Sequence, residues 1–160
     1  MNKNYKTIIL RNDSTMNEKT AEWFHNKWHI PAETYLESIR ECQQTKVKIP
    51  QWYIIIDKEN CNKIIAGMGV IDNDFHERRD LSPNICAVFT ESDYRGMGLA
   101  KYLLDFVCKD MSALGYNDLY LITSHTEFYE KCGWEFFCNV KEDNGETARV
   151  YRHMTEKTCK

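Results

Sequence analysis

Val88-Phe89-Thr90-Glu91-Ser92-Asp93-Tyr94-Arg95-Gly96-Met97-Gly98-Leu99-Ala100-Lys101 is the stretch whose reading decides the fold. Just before it, Asn84-Ile85-Cys86-Ala87 makes Val88 to Thr90 the end of a buried strand. Beyond it, Leu99, Leu103, Phe106, Val107, Met111 and Leu114 recur at helical spacing, and Gly115 stands where a C-cap belongs. A strand therefore ends in a glycine-containing turn that opens straight into an amphipathic helix. The first amides of a helix have no acceptor inside it, and the helix dipole adds partial positive charge at that end. Gly96 and Gly98 remove the side chains that would hold a ligand away from those amides, and Arg95 adds a full charge. Such a combination suits a pyrophosphate.

Three phosphate-loop patterns compete for this turn. A Walker loop needs Gly-x4-Gly-Lys-Ser/Thr, which the stretch lacks. A dinucleotide fingerprint counted from Gly96 puts Lys101 where glycine or alanine is required. The strand after the helix, Leu119-Tyr120-Leu121-Ile122-Thr123, also lacks the terminal acidic residue that a nicotinamide-dependent dehydrogenase needs. The third pattern, Arg/Gln-x-x-Gly-x-Gly/Ala, is met by Arg95, Gly98 and Ala100. The plainer alternative is a helix start with two incidental glycines; the strand before, the helix after and Tyr94 ahead of Arg95 argue against it.

Working outward, Tyr5 to Leu10 reads as a first strand. Asp13, Ser14 and Thr15 offer capping side chains ahead of a helix carrying Ala21, Phe24 and Trp28. Pro31 stands where a second helix begins, with Tyr35, Leu36, Ile39 and Cys42 on one face. Trp52 to Ile56 and Ile64 to Ile71, the latter with Gly67 and Gly69, read as an antiparallel hairpin. A charged loop, Asp72 to Asp80, leads past Pro83 into the central strand. After the main helix come a strand over Leu119 to Ile122, a short helix over Thr126 to Lys131 ending at Gly133, and strands over Trp134 to Phe137 and Arg149 to Arg152. The order β, α, α, β, β, β, α, β, α, β, β predicts a mixed α/β sheet with helices on both faces.

The chain has 160 residues, 42% hydrophobic and 28% charged, which predicts one soluble domain over residues 1–160. A net charge of −3 with scattered signs gives no reason to expect nucleic acid or a membrane as partner. The opening Met1-Asn2-Lys3-Asn4-Tyr5-Lys6 lacks the apolar stretch of a signal peptide, so the expected location is cytoplasmic. Seven cysteines, at positions 42, 61, 86, 108, 132, 138 and 159, include no CxxC pair, and most lie in apolar runs; they read as reduced core thiols.

Tyr94-Arg95-Gly96-Met97-Gly98-Leu99-Ala100 resembles the acetyl-CoA loop of the GCN5-related N-acetyltransferases (GNAT superfamily). Phe128-Tyr129-Glu130-Lys131-Cys132-Gly133-Trp134 is similar to that family's second hallmark, an aromatic-tyrosine pair followed by glycine-aromatic. Ser92 in place of a common proline, and Trp134 in place of phenylalanine, are departures that do not touch cofactor chemistry. The resemblance covers essentially the whole chain. It implies an acyl-CoA N-acyltransferase fold: a mostly antiparallel sheet of about seven strands, splayed at the cofactor site. It further implies that the backbone of Val88, Phe89 and Thr90 pairs with the pantetheine arm of acetyl-CoA, with one N–H polarising the thioester carbonyl. Amides from Arg95 through Gly96, Met97, Gly98 and Leu99 to Ala100 would hold the pyrophosphate, and Tyr129 would protonate the departing thiolate. Lys101 either reaches a phosphate or is simply solvated. The implied reaction is direct attack by a primary amine on the thioester within a ternary complex, with no metal.

A base must take a proton from the incoming ammonium. Asp72, Asp74 and His76 after the hairpin, Glu91 after the central strand, and His125 before the short helix all remain open, against the alternative that the 72–80 loop is merely solvated. Asp72-x-Asp74-x-His76 breaks the calcium-loop pattern, and His125, Cys132, Cys138 and His153 match no zinc spacing. Trp23, Phe24, Trp28 and Tyr35 belong to the region that forms an acceptor wall in the family, although helical spacing reads Phe24 and Trp28 as core. A small-molecule amine is the favoured acceptor, its identity and any acyl group other than acetyl being unread. A homodimer is one open arrangement, and a non-catalytic acyl-CoA-binding sensor is the rival function.

Overall fold

Seven strands form one sheet: β1 (Tyr5–Ile9), β2 (Gln51–Asp57), β3 (Lys63–Ile71), β4 (Asn84–Thr90), β5 (Asp118–Thr123), β6 (Glu135–Lys141) and β7 (Thr147–Met154). Their order is β1-β2-β3-β4-β5-β7-β6. The helices are α1 (Asn17–Trp28), α2 (Ala32–Cys42), α3 (Leu99–Ala113) and the single turn α4 (Phe128–Lys131). The structure, a computed structural model, describes residues 1–155, so Cys159 lies outside the described residues. The architecture is the mixed α/β arrangement expected from the element order and, as the family resemblance implies, mostly antiparallel, with β4 and β5 as a parallel pair. Among the described residues no helix is long and apolar enough to cross a membrane. The chain divides into two compact units, one built from Met1–Val70 and Ala87–Leu103, the other from Ile71–Cys86 and the chain from Leu104 onward.

In the first unit, β2 is antiparallel to both β1 (Tyr5↔Asp57 to Ile9↔Tyr53) and β3. Its β-branched and aromatic residues are buried from Trp52 to Ile56, as are Ile64 to Val70 of β3. Gly67 is needed in β3 because a Cβ there would lie 2.9 Å from the Trp23 indole and 3.2 Å from the Tyr53 carbonyl oxygen. The helix α1 thus packs directly on strand backbone, with Phe24 fully buried between Trp23, Tyr35 and Trp52 rings at 5.0 to 5.3 Å. Two differences from the sequence reading stand out here. Leu10 leaves the strand for a 3-10 turn that buries it completely, and Asp13 caps a second 3-10 turn by accepting the Thr15 N–H at 3.1 Å, so α1 starts only at Asn17. Trp28, expected in the core, is 44% exposed, because the last turn of α1 runs past the buried stripe and leaves its indole edge-on to half-buried Phe89.

In the second unit, β7 pairs antiparallel with β5 and β6, and Leu81, Val140, Ala148 and Val150 form a small apolar cluster. The last two strands run longer than their apolar runs suggested. Exposed polar residues extend β6 to Lys141 and open β7 at Thr147, because ladder pairing, not burial, sustains them. The charged loop between β3 and β4 is not merely solvated. Asn84 is buried, and its Nδ2 donates to the carbonyls of Leu81 at 2.6 Å and Asp72 at 3.2 Å. That leaves Asn84 Oδ1 as an acceptor, so His76 Nε2, 2.6 Å away, carries the proton and donates to it. Asn73 Nδ2 faces His76 Nδ1 at 3.5 Å and the His76 carbonyl at 3.1 Å. One amide side chain therefore closes the loop from Asp72 to Leu81 and fixes it to the start of β4. Asn84→Ala strands a buried imidazole N–H and two carbonyls, and is expected to lower the unfolding free energy by about 2–4 kcal/mol in urea denaturation.

Candidate functional site

The residues singled out around the glycine turn all belong to the first unit. At Ala87 the strand takes φ +54, a left-handed conformation that is costly outside glycine. Val88, Phe89 and Thr90 follow, half-buried, and a 3-10 turn over Ser92–Tyr94 leads into Arg95. Gly96 and Gly98 both have φ +77, and a Cβ added to either would meet nothing within 4 Å. The backbone there demands glycine, and the space beside it is open. The first internal bond of α3 runs from the Tyr102 N–H to the Gly98 carbonyl at 3.0 Å. Among the described residues, the amides of Gly96, Gly98, Leu99 and Ala100 donate to no protein acceptor outside the helix, whereas the Arg95 N–H is engaged by the Ser92 carbonyl at 3.3 Å. The anion-binding capacity of the turn thus begins at Gly96. These features fit a diphosphate: bare donors, a helix N-terminus fifteen residues long behind them, and no side chain in the way.

Arg95 is exposed and makes contact with the end of β4. Its Nε donates to the Thr90 carbonyl at 3.1 Å and its guanidinium lies 5.5 Å from the Phe89 ring. On the other residues around Phe89, Lys27 Nζ stands 5.0 Å from the same ring and 2.5 Å from Glu91 Oε1, which also accepts the Trp23 indole N–H at 2.7 Å. Burial opposes ionisation of Glu91, but the hydrogen bonds from Lys27 and Trp23 and the charges of Lys27 and Lys63 outweigh it and hold the carboxyl below its usual range. Glu91 is a tied counter-ion and a poor proton acceptor.

The remaining acid–base candidates lie in the second unit, and their surroundings separate them. Asp72 is exposed and accepts the Ser82 hydroxyl at 2.7 Å. His76 is fully buried with both ring nitrogens occupied as described. His125 is exposed in the loop after β5, its amide turned onto Thr123 Oγ1 at 3.0 Å. Asp74 is different: its carboxylate accepts no hydrogen bond from the described residues, and it is only partly exposed. Burial, with a further push from Glu142 and an opposing pull from His76, raises its pKa to about 6.

Tyr129 is 7% exposed, on α4, packed against Phe128 at 5.0 Å and Tyr151 at 6.1 Å. Among the described residues its hydroxyl makes no hydrogen bond, in contrast to the Tyr151 hydroxyl, which donates to the Thr126 carbonyl or Glu130 and receives Arg149. Burial, then Cys132, then Asp74 raise the Tyr129 pKa to about 12, so the phenol keeps its proton and the Asp74 carboxylate is near enough to weigh on it. The cysteines offer little chemistry by comparison: burial lifts Cys42 to about 11 and Cys108 to about 12. Cys61 is the exception to the core reading, exposed in the β2–β3 turn, and Cys138 is half-buried.

Sequence reasoning named Asp74 and Tyr129 but could not rank the bases, since their ranking depends on partners remote in the chain. It missed Asn84 and Lys27 altogether. The available signals were an amide heading the apolar run Ile85-Cys86-Ala87-Val88, and a lysine one helical turn from Trp23.

The acetyltransferase (GNAT) domain family matches residues 50–136. No curated protein matches the sequence. Among solved structures, the chain is similar to an aminoglycoside 6'-N-acetyltransferase complexed with coenzyme A, with 15% identity, 96% of this chain and 99% of that chain covered, and a TM-score of 0.68. It is also similar to the ribosomal-protein-S5-alanine acetyltransferase from Vibrio fischeri (14% identity, 98% and 96% covered, TM-score 0.71). A spermidine N-acetyltransferase from Vibrio cholerae, in mutant form, gives 13% identity, 96% and 95% covered, and a TM-score of 0.69. At such identities these likenesses speak for the fold alone. The family match, in contrast, takes in more than half of the chain, with both the β4–α3 turn and the Tyr129 segment inside it, and the chain belongs to the GNAT acetyltransferase family.

Proposed function

We propose that this chain is an N-acetyltransferase that moves acetyl from acetyl-CoA to a primary amine of a small molecule, with residues 1–160 acting as one catalytic domain. The observation that carries the reading is the β4–α3 turn, where two left-handed glycines present unshared amides at the head of a long helix. In this reading Gly96, Met97, Gly98, Leu99 and Ala100 cradle the diphosphate of the donor, and Val88, Phe89 and Thr90 line its pantetheine arm. Arg95 serves from behind, bracing Thr90 and Phe89. Gly98→Glu places bulk and negative charge at the cradle and is expected to abolish coenzyme A binding in calorimetry, whereas the smaller Gly98→Ala retains part of it.

Acetyl-CoA brings an activated acyl group whose transfer needs a proton taken from the amine and one given to the departing thiolate. Tyr129 suits the second task, because its phenol stays protonated and, among the described residues, has no competing acceptor. Asp74 suits the first: among the base candidates it alone is both partly buried and, among the described residues, without a side-chain hydrogen bond, and it ionises below neutrality. Its negative charge would also favour a cationic acceptor. An aminoglycoside and a spermidine N-acetyltransferase stand among the structural neighbours, which is in keeping with a small-molecule amine acceptor here.

Free thiol released from acetyl-CoA in the presence of an amine panel tests the proposal; a non-catalytic binder would bind without release. Tyr129→Phe is expected to lower kcat about 100-fold while leaving coenzyme A affinity within a factor of about three. Unchanged turnover removes Tyr129 from the mechanism. Because Asp74 acts in its ionised form, kcat/KM for the amine should fall as pH drops through about 6. The folded carboxyl keeps its proton to that pH whereas an unfolded aspartate releases it near about 3.9, so the native state loses stability as pH rises through this window. Asp74→Asn should therefore remove the activity yet raise the unfolding free energy by about 1–2 kcal/mol near pH 7.5, and by little near pH 4.

A further inference from the structure

The glycine turn has little of its own to hold it still. Gly96 and Gly98 touch nothing where a side chain would be, and Met97 is 58% exposed, its Sδ accepting the Tyr5 hydroxyl at a long 3.7 Å; the firmer contacts among the described residues reach the turn through its flanks. The strongest is made by Tyr94, the last residue of the 3-10 turn, with its ring half-buried. Its hydroxyl donates to Asp57 Oδ2 at 3.0 Å and accepts from Asn60 Nδ2 at 3.2 Å, so both capacities of the phenol are used. Its ring meets Tyr5 edge-on at 6.0 Å, and the Lys63 ammonium lies 5.6 Å from its centre.

The partner of Tyr94 is itself rigid. Asp57 Oδ1 accepts the Glu59 N–H at 3.1 Å, the Asn60 N–H bonds the Asp57 carbonyl at 3.3 Å, and Lys63 N–H bonds the Asn60 carbonyl at 2.8 Å. The β2–β3 turn is also tied to the start of the chain by Lys58 N–H on the Asn4 carbonyl at 2.9 Å. On the far side of the glycines, Thr7 Oγ1 reaches the Tyr102 hydroxyl at 3.4 Å in the first turn of α3. A loop of left-handed glycines is therefore strung between two fixed points, and the better-bonded of the two is the Tyr94 phenol. A flexible anion loop loses affinity to the entropy of ordering it, and an anchor at its mouth reduces that loss.

We infer that Tyr94 is a positioning residue for acyl-donor binding, its hydroxyl clamping the 95–98 turn to Asp57 and Asn60 so that the amides are aligned before the diphosphate arrives. This rests on the reading of residues 96–100 as the diphosphate cradle. Tyr94→Phe keeps the ring and its contacts with Tyr5 and Lys63 while deleting the clamp. Calorimetric titration with coenzyme A is expected to show roughly tenfold weaker binding. Steady-state kinetics should show KM for acetyl-CoA rising by a similar factor, with kcat at saturation within about twofold of the parent. A merely structural role would lower the melting temperature without this KM-against-kcat split. Asp57→Asn, which removes the charged acceptor, should weaken binding similarly, and the double variant should be no worse than either single change. Parent protein that binds coenzyme A, beside a Tyr94→Phe variant that binds it equally well, overturns the clamp alone. Multiplicative losses in the double variant also overturn it. Parent protein with no affinity for coenzyme A overturns the cradle reading, and the clamp falls with it.

Discussion

The amides that open α3 cannot be satisfied inside the helix, since the first internal bond reaches back from Tyr102 only to Gly98. A buried helix end in this condition would be costly, and the fold answers by leaving the turn open and lining it with glycine instead of capping it with a side chain. Both glycines sit at φ +77, where an ordinary residue would add strain of order 1–2 kcal/mol. The chain thus keeps its donors free by two features together, backbone conformation and the absence of a Cβ. The dipole of a fifteen-residue helix then gives the donors a common sign and direction.

Around that turn the first unit supplies fixed walls. Phe24 and Trp23 lie on Gly67 with almost no clearance, so α1 cannot slide along β3 without a clash. Glu91 ends β4 bound by Lys27 and by Trp23, which joins α1 to the strand that leads into the turn. A half-buried ion pair is not in itself a large source of stability, but it specifies one geometry and neutralises a carboxylate that would otherwise repel a diphosphate. The second unit treats its acidic loop in the opposite manner. Asn84 and His76 lock the loop backbone, and Asp74, whose carboxylate accepts no hydrogen bond among the described residues, has its pKa raised by burial. A carboxylate kept ready in this way gives up stability at neutral pH in return for basicity near it.

Much of this was legible in the residues. The β4–α3 junction was readable because a continuous apolar run stops, two glycines follow, and a period-3.6 run begins; all three are local properties. The hairpin of β2 and β3, with α2 starting after Pro31, was readable for the same reason. What could not be read depends on residues far apart in sequence. Trp28 satisfies helical spacing with Phe24, yet only the packed structure shows its indole left 44% exposed, edge-on to Phe89. His76 and Asp74 look interchangeable as bases until Asn84, eight residues beyond His76, is seen to claim the imidazole. Arg95 reads as a phosphate ligand by type and place; that its Nε also donates to the Thr90 carbonyl is visible only in the fold. Tyr94 signalled only by preceding Arg95 in the motif; its partners Asp57 and Asn60 come from a turn more than thirty residues away.

In the proposed function the main-chain hydrogens of residues 96 to 100 are the receptor for a diphosphate. Amide NMR of isotope-labelled protein, recorded during addition of coenzyme A, addresses them one by one. The largest shifts should fall on Gly96, Gly98, Leu99 and Ala100, downfield as each donor gains an anionic acceptor, with the Arg95 amide moving less because Ser92 already holds it. Saturable binding that leaves those resonances in place while perturbing another surface would contradict this role.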